Sequence, residues 1–273
     1  MNDLEKSLRL NSVGNARQLG GYINADGKKV RNNVLLRTGH LGNITDGDIA
    51  RLRDVYNLGD IIDMRTSVEI SGNEDKKIDG ANYHHISIMD ESSLLENRGN
   101  ISIAKNTPEG LLTFIKTVDK LHIFRDDMYI NFLEGECGIS GYRKFFDILL
   151  SSEDGKAVLW HCTSGKDRTG LGAMLILTVL GVDEKTILED YMLTNRYNKS
   201  RIDNTRKLIL ESNEDNRLAE NIALFGGVYE KFMTIALDHL KENYGSVMGY
   251  IKSALVISDS DISELKHKYL GSH

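Results

Sequence analysis

The chain is poor in the residues that make covalent cross-links, metal sites and membrane spans. Only two of its 273 residues are cysteines, Cys137 and Cys162. These are too few for a disulfide framework, and no Cys-x-x-Cys or His-Glu-x-x-His spacing indicates a metal site. No apolar run reaches membrane-spanning length, and residues 1–20 lack the basic start and apolar core of a signal peptide. We therefore expect a cytoplasmic protein in which Cys137 serves in packing, while an unconventional route of secretion stays open.

Charge and length narrow the class of protein further. The formal net charge of −6 argues against nucleic acid as an obligatory partner, and a hydrophobic content of 40% is ordinary for a soluble protein. A chain of this length can form one α/β domain with an insertion, or two small domains. We expect a single domain over residues 1–273.

One stretch stands between a predicted strand and a predicted helix. The apolar run Ala157–Trp160 is typical of a buried strand, and Leu171–Leu180 has the length and composition of a buried helix. His161–Gly170 is therefore a connecting loop at the carboxyl end of a core strand, where open α/β sheets bind ligands.

The residues of this loop, His-Cys-Thr-Ser-Gly-Lys-Asp-Arg-Thr-Gly, are suited to hold an oxyanion. A tight turn through Thr163, Ser164 and Gly165 can aim successive backbone N–H groups at one point, next to the positive end of the following helix. Arg168 can grip two phosphate oxygens with its planar guanidinium. We expect Cys162 to be ionised here, since cations and a helix N-terminus stabilise a thiolate, and to act as an in-line nucleophile.

Two neighbours of the cysteine complete the predicted site. Thr169 is placed to donate a hydrogen bond to the sulfur when the phosphocysteine is hydrolysed. His161 can orient the loop by bonding backbone carbonyl groups. Because Arg168 and the backbone supply the positive charge, we expect no metal and no other cofactor.

This motif resembles the signature of the cysteine-dependent protein tyrosine phosphatase superfamily. The closer resemblance is to a bacterial atypical branch that acts on phosphotyrosine and phosphoinositides, in which Lys, Asp and Arg stand together as at residues 166–168. Four other segments also resemble that branch: Asn-Ala-Arg-Gln-Leu-Gly-Gly-Tyr at 15–22, Leu-Arg-Thr-Gly at 36–39, Ile-Ile-Asp-Met-Arg at 61–65, and the C-terminal residues 244–250 with 261–265.

The resemblance implies a fold, a substrate class and a mobile element. It implies a mostly parallel central sheet flanked by helices, with residues 184–225 forming a helical lid after the catalytic-loop helix. A polar, solvated helix face is the alternative for those residues. It also implies phosphotyrosine proteins or phosphoinositides as substrates and inorganic phosphate as product. Lys166 would attract further phosphate groups, or only help to keep Cys162 ionised.

The general acid has to be chosen among the remaining carboxylates. Most tyrosine phosphatases carry it in a Trp-Pro-Asp loop, but the only tryptophan here is Trp160 and the only proline is Pro108. Asp167 is the first candidate because it lies inside the loop and follows the branch pattern. Asp63 is the second, at the end of a predicted neighbouring strand, with an ion pair to an arginine as the alternative role.

The pattern elsewhere predicts scaffold. Arg17 and Arg37 are expected to be structural, as are His84 and His85. The other predicted elements are edge strands within 10–45 joined by a turn at Asp26-Gly27, a helix at 46–57 capped by Thr45 and stopped by Gly59, strands at 58–64 and 83–88, a helix from Thr107, a helix at 142–150, a helix from Glu184 to about Leu210 capped by Asp183, and helices at 229–243, 247–255 and 261–270.

These features predict a phosphomonoester hydrolase that acts on phosphotyrosine, with phosphoinositides or phosphoserine and phosphothreonine as further substrates. Two other classes stay open. One is an inactive module that binds phosphate without turnover. The other is a sulfurtransferase or an arsenate reductase, the latter needing Cys137 as its resolving thiol. A nucleotide-binding P-loop is excluded, since Asp167 follows Gly165-Lys166 where that motif has serine or threonine.

Overall fold

Short apolar runs form the strands of the protein. The computed structural model describes residues 6–90, 126–211 and 226–271. Its strands are β1 (Arg17–Gln18), β2 (Lys29–Val30), β3 (Leu35–Thr38), β4 (Leu58–Asp63), β5 (Asn82–His85), β6 (Ala157–His161) and β7 (Leu270–Gly271).

The central sheet is mostly parallel and has the order β1-β3-β6-β4-β5. Strands β3, β6, β4 and β5 run parallel, and β1 pairs antiparallel with β3 at the edge. The register places Thr38 of β3 and Asp63 of β4 on either side of His161, the last residue of β6. Three strands therefore end together where the predicted catalytic loop begins. Strands β2 and β7 form a separate antiparallel pair.

Helices cover the sheet on both sides. They are α1 (Asp46–Asp54), α2 (Ser67–Ile70), α3 (Met128–Glu134), α4 (Glu136–Ser151), α5 (Asp167–Val179), α6 (Glu184–Tyr197), α7 (Lys199–Glu211), α8 (Glu230–Tyr244), α9 (Val247–Ser253) and α10 (Asp259–Tyr269). None of them, within the three described ranges, combines the length and apolarity needed to cross a bilayer.

The two faces of β6 belong to two different apolar clusters. Val158 and Trp160 join the larger cluster with α4, α5 and the C-terminal helices, whereas Ala157 and Leu159 join the smaller one with α1. This division follows from the two-residue period of a strand. Burial on both faces explains why the run at 157–160 is continuously apolar, as is usual in parallel sheets.

The predicted α/β architecture is confirmed, with shifts at element ends. Helix α5 begins at Asp167 instead of Leu171, so the last four residues of the loop motif are helical. Thr45 caps α1 as predicted, but the helix ends at Asp54. Gly59 does not stop it. Gly59 lies inside β4, and the chain turns at Asn57, whose φ is +50°.

The other predicted elements fall largely in place, but the helix predicted from Glu184 to about Leu210 is divided at Asn198 into α6 and α7. Asp183 caps α6 by accepting a hydrogen bond from the Thr186 N–H, and Gly181 ends the previous helix with a φ of +80°. The helix predicted at 142–150 is the second half of α4, and the strand predicted at 83–88 is the shorter β5. The three C-terminal helices are α8, α9 and α10. The helix predicted from Thr107 lies outside the described residues.

A buried group of charges fixes α6 against the sheet. Asp190 of α6 is 1% exposed and pairs with Arg17 of β1 and Arg37 of β3, at 3.2 and 2.7 Å. Burial alone would raise the pKa of Asp190, but the two arginines outweigh it and hold this pKa at about 2. The carboxylate is thus ionised throughout the ordinary pH range.

This lowered pKa predicts acid sensitivity. An aspartate with a depressed pKa contributes stability above its unfolded value of 3.8, and this contribution is lost as the pH falls toward 2. We expect Asp190→Asn to remove about 2 kcal/mol of the pH-dependent free energy of unfolding in that interval. Urea unfolding at pH 2–7 measures it, with the exposed Asp54→Asn as control. Identical slopes in Asp190→Asn and the wild type would contradict the assignment.

Candidate active site

The loop between β6 and α5 is short and tightly enclosed. Cys162 follows the last residue of β6 directly and is 2% exposed. The chain then turns through residues 163–166 and enters α5, whose first turn carries Arg168. The N-terminal end of this 13-residue helix therefore faces the turn, so its unpaired N–H groups and positive dipole end are available to an anion.

Gly165 makes the turn possible. Its φ is +64°, and a Cβ at this position would lie 2.2 Å from the carbonyl oxygen of Thr38. The carbonyl oxygen of Gly165 accepts hydrogen bonds from Asn15 Nδ2 at 2.6 Å and Arg37 Nη2 at 3.0 Å. The end of β3 thus lies directly behind the loop.

Arg168 is held by a glutamate that the sequence reasoning missed. Its Nη1 and Nη2 groups each donate to a carboxylate oxygen of Glu69 at 2.6 Å, and Nη1 also donates to the carbonyl of Met64 at 3.3 Å. The Nε–H and one Nη2–H are not used by these contacts. They form a side-on pair of donors with the spacing that two phosphate oxygens require.

Glu69 is itself fixed by local structure. It occupies the third position of α2, where its side chain and that of Thr66 form a capping box. Thr163 also donates to Glu69, at 2.5 Å. Burial opposes ionisation of Glu69, yet the charge and hydrogen bonds of Arg168 bring its pKa down to about 2. The Thr66-Ser-Val-Glu69 spacing is a visible capping signal, but nothing in it indicates that the glutamate also reaches Arg168.

His161 and Asp63 belong to a second buried group behind the cysteine. The carboxylate of Asp63 accepts bonds from Arg65 at 2.6–3.1 Å and from the Tyr83 hydroxyl at 2.7 Å. His161 has its Nε2 2.7 Å from Asp75 and its Nδ1 3.3 Å from the carbonyl oxygen of Cys162. Although burial opposes it, hydrogen bonds from Arg65 lower the pKa of Asp63.

Asp63, Asp75 and His161 have ligand atoms within 4.8 Å of one another, close enough to hold a metal ion. However, Arg65 already bridges the two carboxylates, at 2.6 Å from Asp63 and 2.9 Å from Asp75. The guanidinium supplies the positive charge that a cation would bring. The cluster is therefore best understood as an ion-pair network that supports His161.

Asp167 lies on the more open side of the loop. Its side chain is 19% exposed, one oxygen accepts a bond from Tyr129 at 2.6 Å, and the other lies 3.6 Å from the Lys166 ammonium. Lys166 also donates to the carbonyl of Gly227 at 3.1 Å, and burial lowers its pKa. The predicted acid is thus hydrogen-bonded and reachable, whereas Asp63 is fully buried.

The remaining loop side chains contact neighbouring elements or none. Ser164 accepts a bond at 3.2 Å from Arg201 of α7. The Thr169 hydroxyl is buried and has no hydrogen-bond partner within the described ranges. Its backbone carbonyl is bound by the Trp160 indole at 3.1 Å. Of the predicted site residues, all but Asp63 come from one continuous stretch, and the sheet brings Asp63 beside His161.

Comparison with known proteins agrees with this geometry. A family model described as the tyrosine phosphatase family matches residues 8–271. A Cupriavidus necator protein provisionally named a tyrosine-protein phosphatase is 27% identical over 267 residues, covering 96% of this chain and 88% of its own. The triple specificity protein phosphatase PtpB of Mycobacterium tuberculosis is 24% identical, with 87% and 91% covered. A tyrosine-protein phosphatase of Nostoc commune is 28% identical, with 85% and 73% covered.

The Gly165 geometry predicts that no side chain is tolerated there. In Gly165→Ala the methyl group would collide with the Thr38 carbonyl, and the left-handed backbone adds strain of about 1 kcal/mol. We expect phosphatase activity to fall at least about 100-fold, because the backbone N–H groups of the turn would no longer point at the phosphate oxygens. Steady-state hydrolysis of p-nitrophenyl phosphate measures this. Gly155→Ala, which also has positive φ but open space around it, is the control and should keep full activity.

Glu69 is predicted to act as a positioning residue for Arg168. In Glu69→Gln one hydrogen bond to the guanidinium is lost together with the charge, so we expect kcat to fall about 10-fold or more. The exposed Glu74→Gln is the matched control. A change in stability with kcat and KM both unaltered would show that Glu69 has no part in orienting Arg168.

Proposed function

The chain belongs to the tyrosine phosphatase family, and we propose that it hydrolyses phosphotyrosine through a phosphocysteine intermediate on Cys162. The observation that carries this proposal is the joint placement of Cys162 and Arg168 around one turn at the N-terminus of α5. The guanidinium is already oriented by Glu69, and its Nε–H and one Nη2–H are left for the substrate.

The first chemical step transfers the phosphoryl group to sulfur. The Cys162 thiolate attacks phosphorus in line with the ester oxygen, so an S–P bond forms while the P–O bond breaks. The backbone N–H groups of Thr163, Ser164 and Gly165 and the side-on donors of Arg168 bind the equatorial oxygens. Asp167 donates its proton to the departing phenolic oxygen.

The second step returns the enzyme to its starting state. Asp167, now ionised, removes a proton from a water molecule that attacks the phosphocysteine. The S–P bond breaks, the thiolate leaves, and inorganic phosphate is released. The buried hydroxyl of Thr169 can donate to the sulfur as negative charge returns to it.

Exposure and contacts favour Asp167 over Asp63 as the acid. Both oxygens of Asp63 accept from Arg65, and the side chain is buried behind His161. A carboxylate bound in this way has no access to a substrate oxygen. Asp167 keeps partial exposure beside the loop. His161 would then act on the loop through the carbonyl of Cys162 and not on the substrate.

Phosphoinositides and phosphoserine or phosphothreonine are further proposed substrates. PtpB, to which this chain is similar, is named as a phosphatase of triple specificity. Lys166 and Arg201 put two additional cations beside the catalytic loop, which favours substrates with more than one phosphate. To reach such a group, the Lys166 ammonium must leave the carbonyl of Gly227. We propose that residues 184–225 form a lid, and the contact of Arg201 with Ser164 supports this for the described part, since residues 212–225 lie outside the described ranges. A cytoplasmic location stays a prediction.

Single substitutions test the nucleophile. We expect Cys162→Ser to abolish phosphate release, while Cys137→Ser, which changes the other cysteine of the chain, keeps it. After acid quenching with a 32P-labelled phosphotyrosine peptide, label should remain on the wild-type protein and be absent from Cys162→Ser. Turnover by Cys162→Ser, or label on any other residue, would overturn the mechanism.

Leaving-group dependence tests the acid. A protonated leaving group matters most for poor leaving groups, so we expect Asp167→Asn to lose about 100-fold on phosphoserine peptide and much less on p-nitrophenyl phosphate. Asp63→Asn should lose stability with no such dependence. The reverse pattern would assign the acid to Asp63.

Two other results would support the alternative classes. Binding of phosphate without turnover would indicate a phosphate-binding module, and sulfur transfer from thiosulfate would indicate a sulfurtransferase.

A further inference from the structure

We propose that Arg37 and Asn15 are positioning residues of the reaction, which hold the catalytic loop from behind and place positive charge next to the bound phosphate. This inference rests on the proposed function. It changes the expectation for Arg37, which sequence reasoning assigned to structure alone.

The two residues converge on one oxygen atom of the loop. The carbonyl oxygen of Gly165 accepts from Asn15 Nδ2 at 2.6 Å and from Arg37 Nη2 at 3.0 Å. Asn15 precedes β1 and Arg37 lies in β3, so two separate segments meet at this atom. All three residues are buried. A carbonyl with two donors has both of its lone pairs satisfied.

The effect on the site follows from the geometry of the peptide group. The chain has no cis peptide bonds among the described residues, so the N–H of Lys166 points away from the carbonyl of Gly165. The hydrogen bonds from Asn15 and Arg37 hold this carbonyl on the outer side of the loop. The N–H of Lys166 therefore points into the turn, where the phosphate oxygens are proposed to lie. The two hydrogen bonds also polarise the peptide group and make its N–H a stronger donor.

The charge balance behind the loop is positive. Arg17, Arg37 and Lys6 are all buried, Lys6 interacts electrostatically with Asp190 and Arg17, and the ion pairs of both arginines in the described part of the chain run to Asp190. Burial and the charge of Arg17 lower the pKa of Arg37 to about 10, although Asp190 and Cys162 oppose this. A phosphate dianion in the turn would balance the excess charge.

Arg17 provides a matched control. It is as deeply buried as Arg37 and pairs with the same carboxylate. Its hydrogen bonds do not include Gly165, but its Nη1 group donates to the side-chain and main-chain oxygens of Asn15, so it is an independent control where Asn15 has been replaced. Deleting either arginine leaves Asp190 paired with the other one. If the arginines served only to hold α6 against the sheet, the two deletions would be equivalent.

The test separates binding from turnover and from stability. Arg37→Met, Arg17→Met and Asn15→Gly are made in the wild type and in Cys162→Ser, and Arg17→Met is also combined with Asn15→Gly, where its contact with the Asn15 side chain is already absent. The glycine substitution keeps the positive φ of Asn15 without strain and removes the side-chain amide, which donates to Gly165 and accepts from Arg17. For each variant, calorimetry with inorganic phosphate on the Cys162→Ser protein gives the affinity, p-nitrophenyl phosphate gives kcat and KM, and urea unfolding gives the stability.

We expect Arg37→Met and Asn15→Gly to weaken phosphate binding about 10- to 100-fold and to lower kcat, as for loss of a hydrogen bond that supports a charge. Arg17→Met should lose as much stability as Arg37→Met, but when it is added to Asn15→Gly it should lower the phosphate affinity further by less than about threefold. The proposal would be overturned if the loss of phosphate affinity were proportional to the loss of stability across all three variants.

If the wild type binds phosphate and shows no hydrolysis, the proposed function fails, while the comparison of phosphate affinities still decides this inference. If Arg37→Met does not fold, unchanged phosphate affinity in Asn15→Gly overturns it.

Discussion

A loop that aims its backbone N–H groups at one point must turn its carbonyl groups outward, and each buried carbonyl then needs a donor. Much of this structure can be understood from that constraint. The carbonyl of Gly165 is bound by Asn15 and Arg37, that of Thr163 by the N–H of His40, and that of Cys162 is approached by His161. The donors come from the ends of β3 and β6 and from the segment before β1, so the sheet is arranged around the outer side of the loop.

Parallel strand order explains why these groups meet. Strands β3 and β4 flank β6 on either side, and their carboxyl ends are level with His161. The segment after β4 therefore delivers Arg65 and Glu69 to one side of the loop, while the end of β3 delivers Arg37 to the other. Antiparallel neighbours would have brought their amino ends here.

The sequence was informative where the signal is local. The apolar run before Cys162 and the apolar stretch after Gly170 predicted β6 and most of α5, and the motif itself identified the residues that meet at the turn. It was uninformative where a side chain acts across the fold. Glu69, Asp75 and Asn15 lie 99, 86 and 150 residues from their partners Arg168, His161 and Gly165, and no spacing rule connects positions so far apart. Gly59 was misjudged because glycine suits a helix end, whereas here Asn57 adopts the left-handed conformation and Gly59 avoids a clash with Lys156.

The three side chains in the middle of the loop each reach a different part of the molecule. Thr163 bonds to Glu69 after β4, Ser164 to Arg201 of α7, and Lys166 to Gly227 before α8. The proposed reaction needs mainly the main chain of the loop, the sulfur of Cys162 and the guanidinium of Arg168. Changes in the elements that these three side chains contact would therefore alter the surroundings of the loop and leave its main chain as it is.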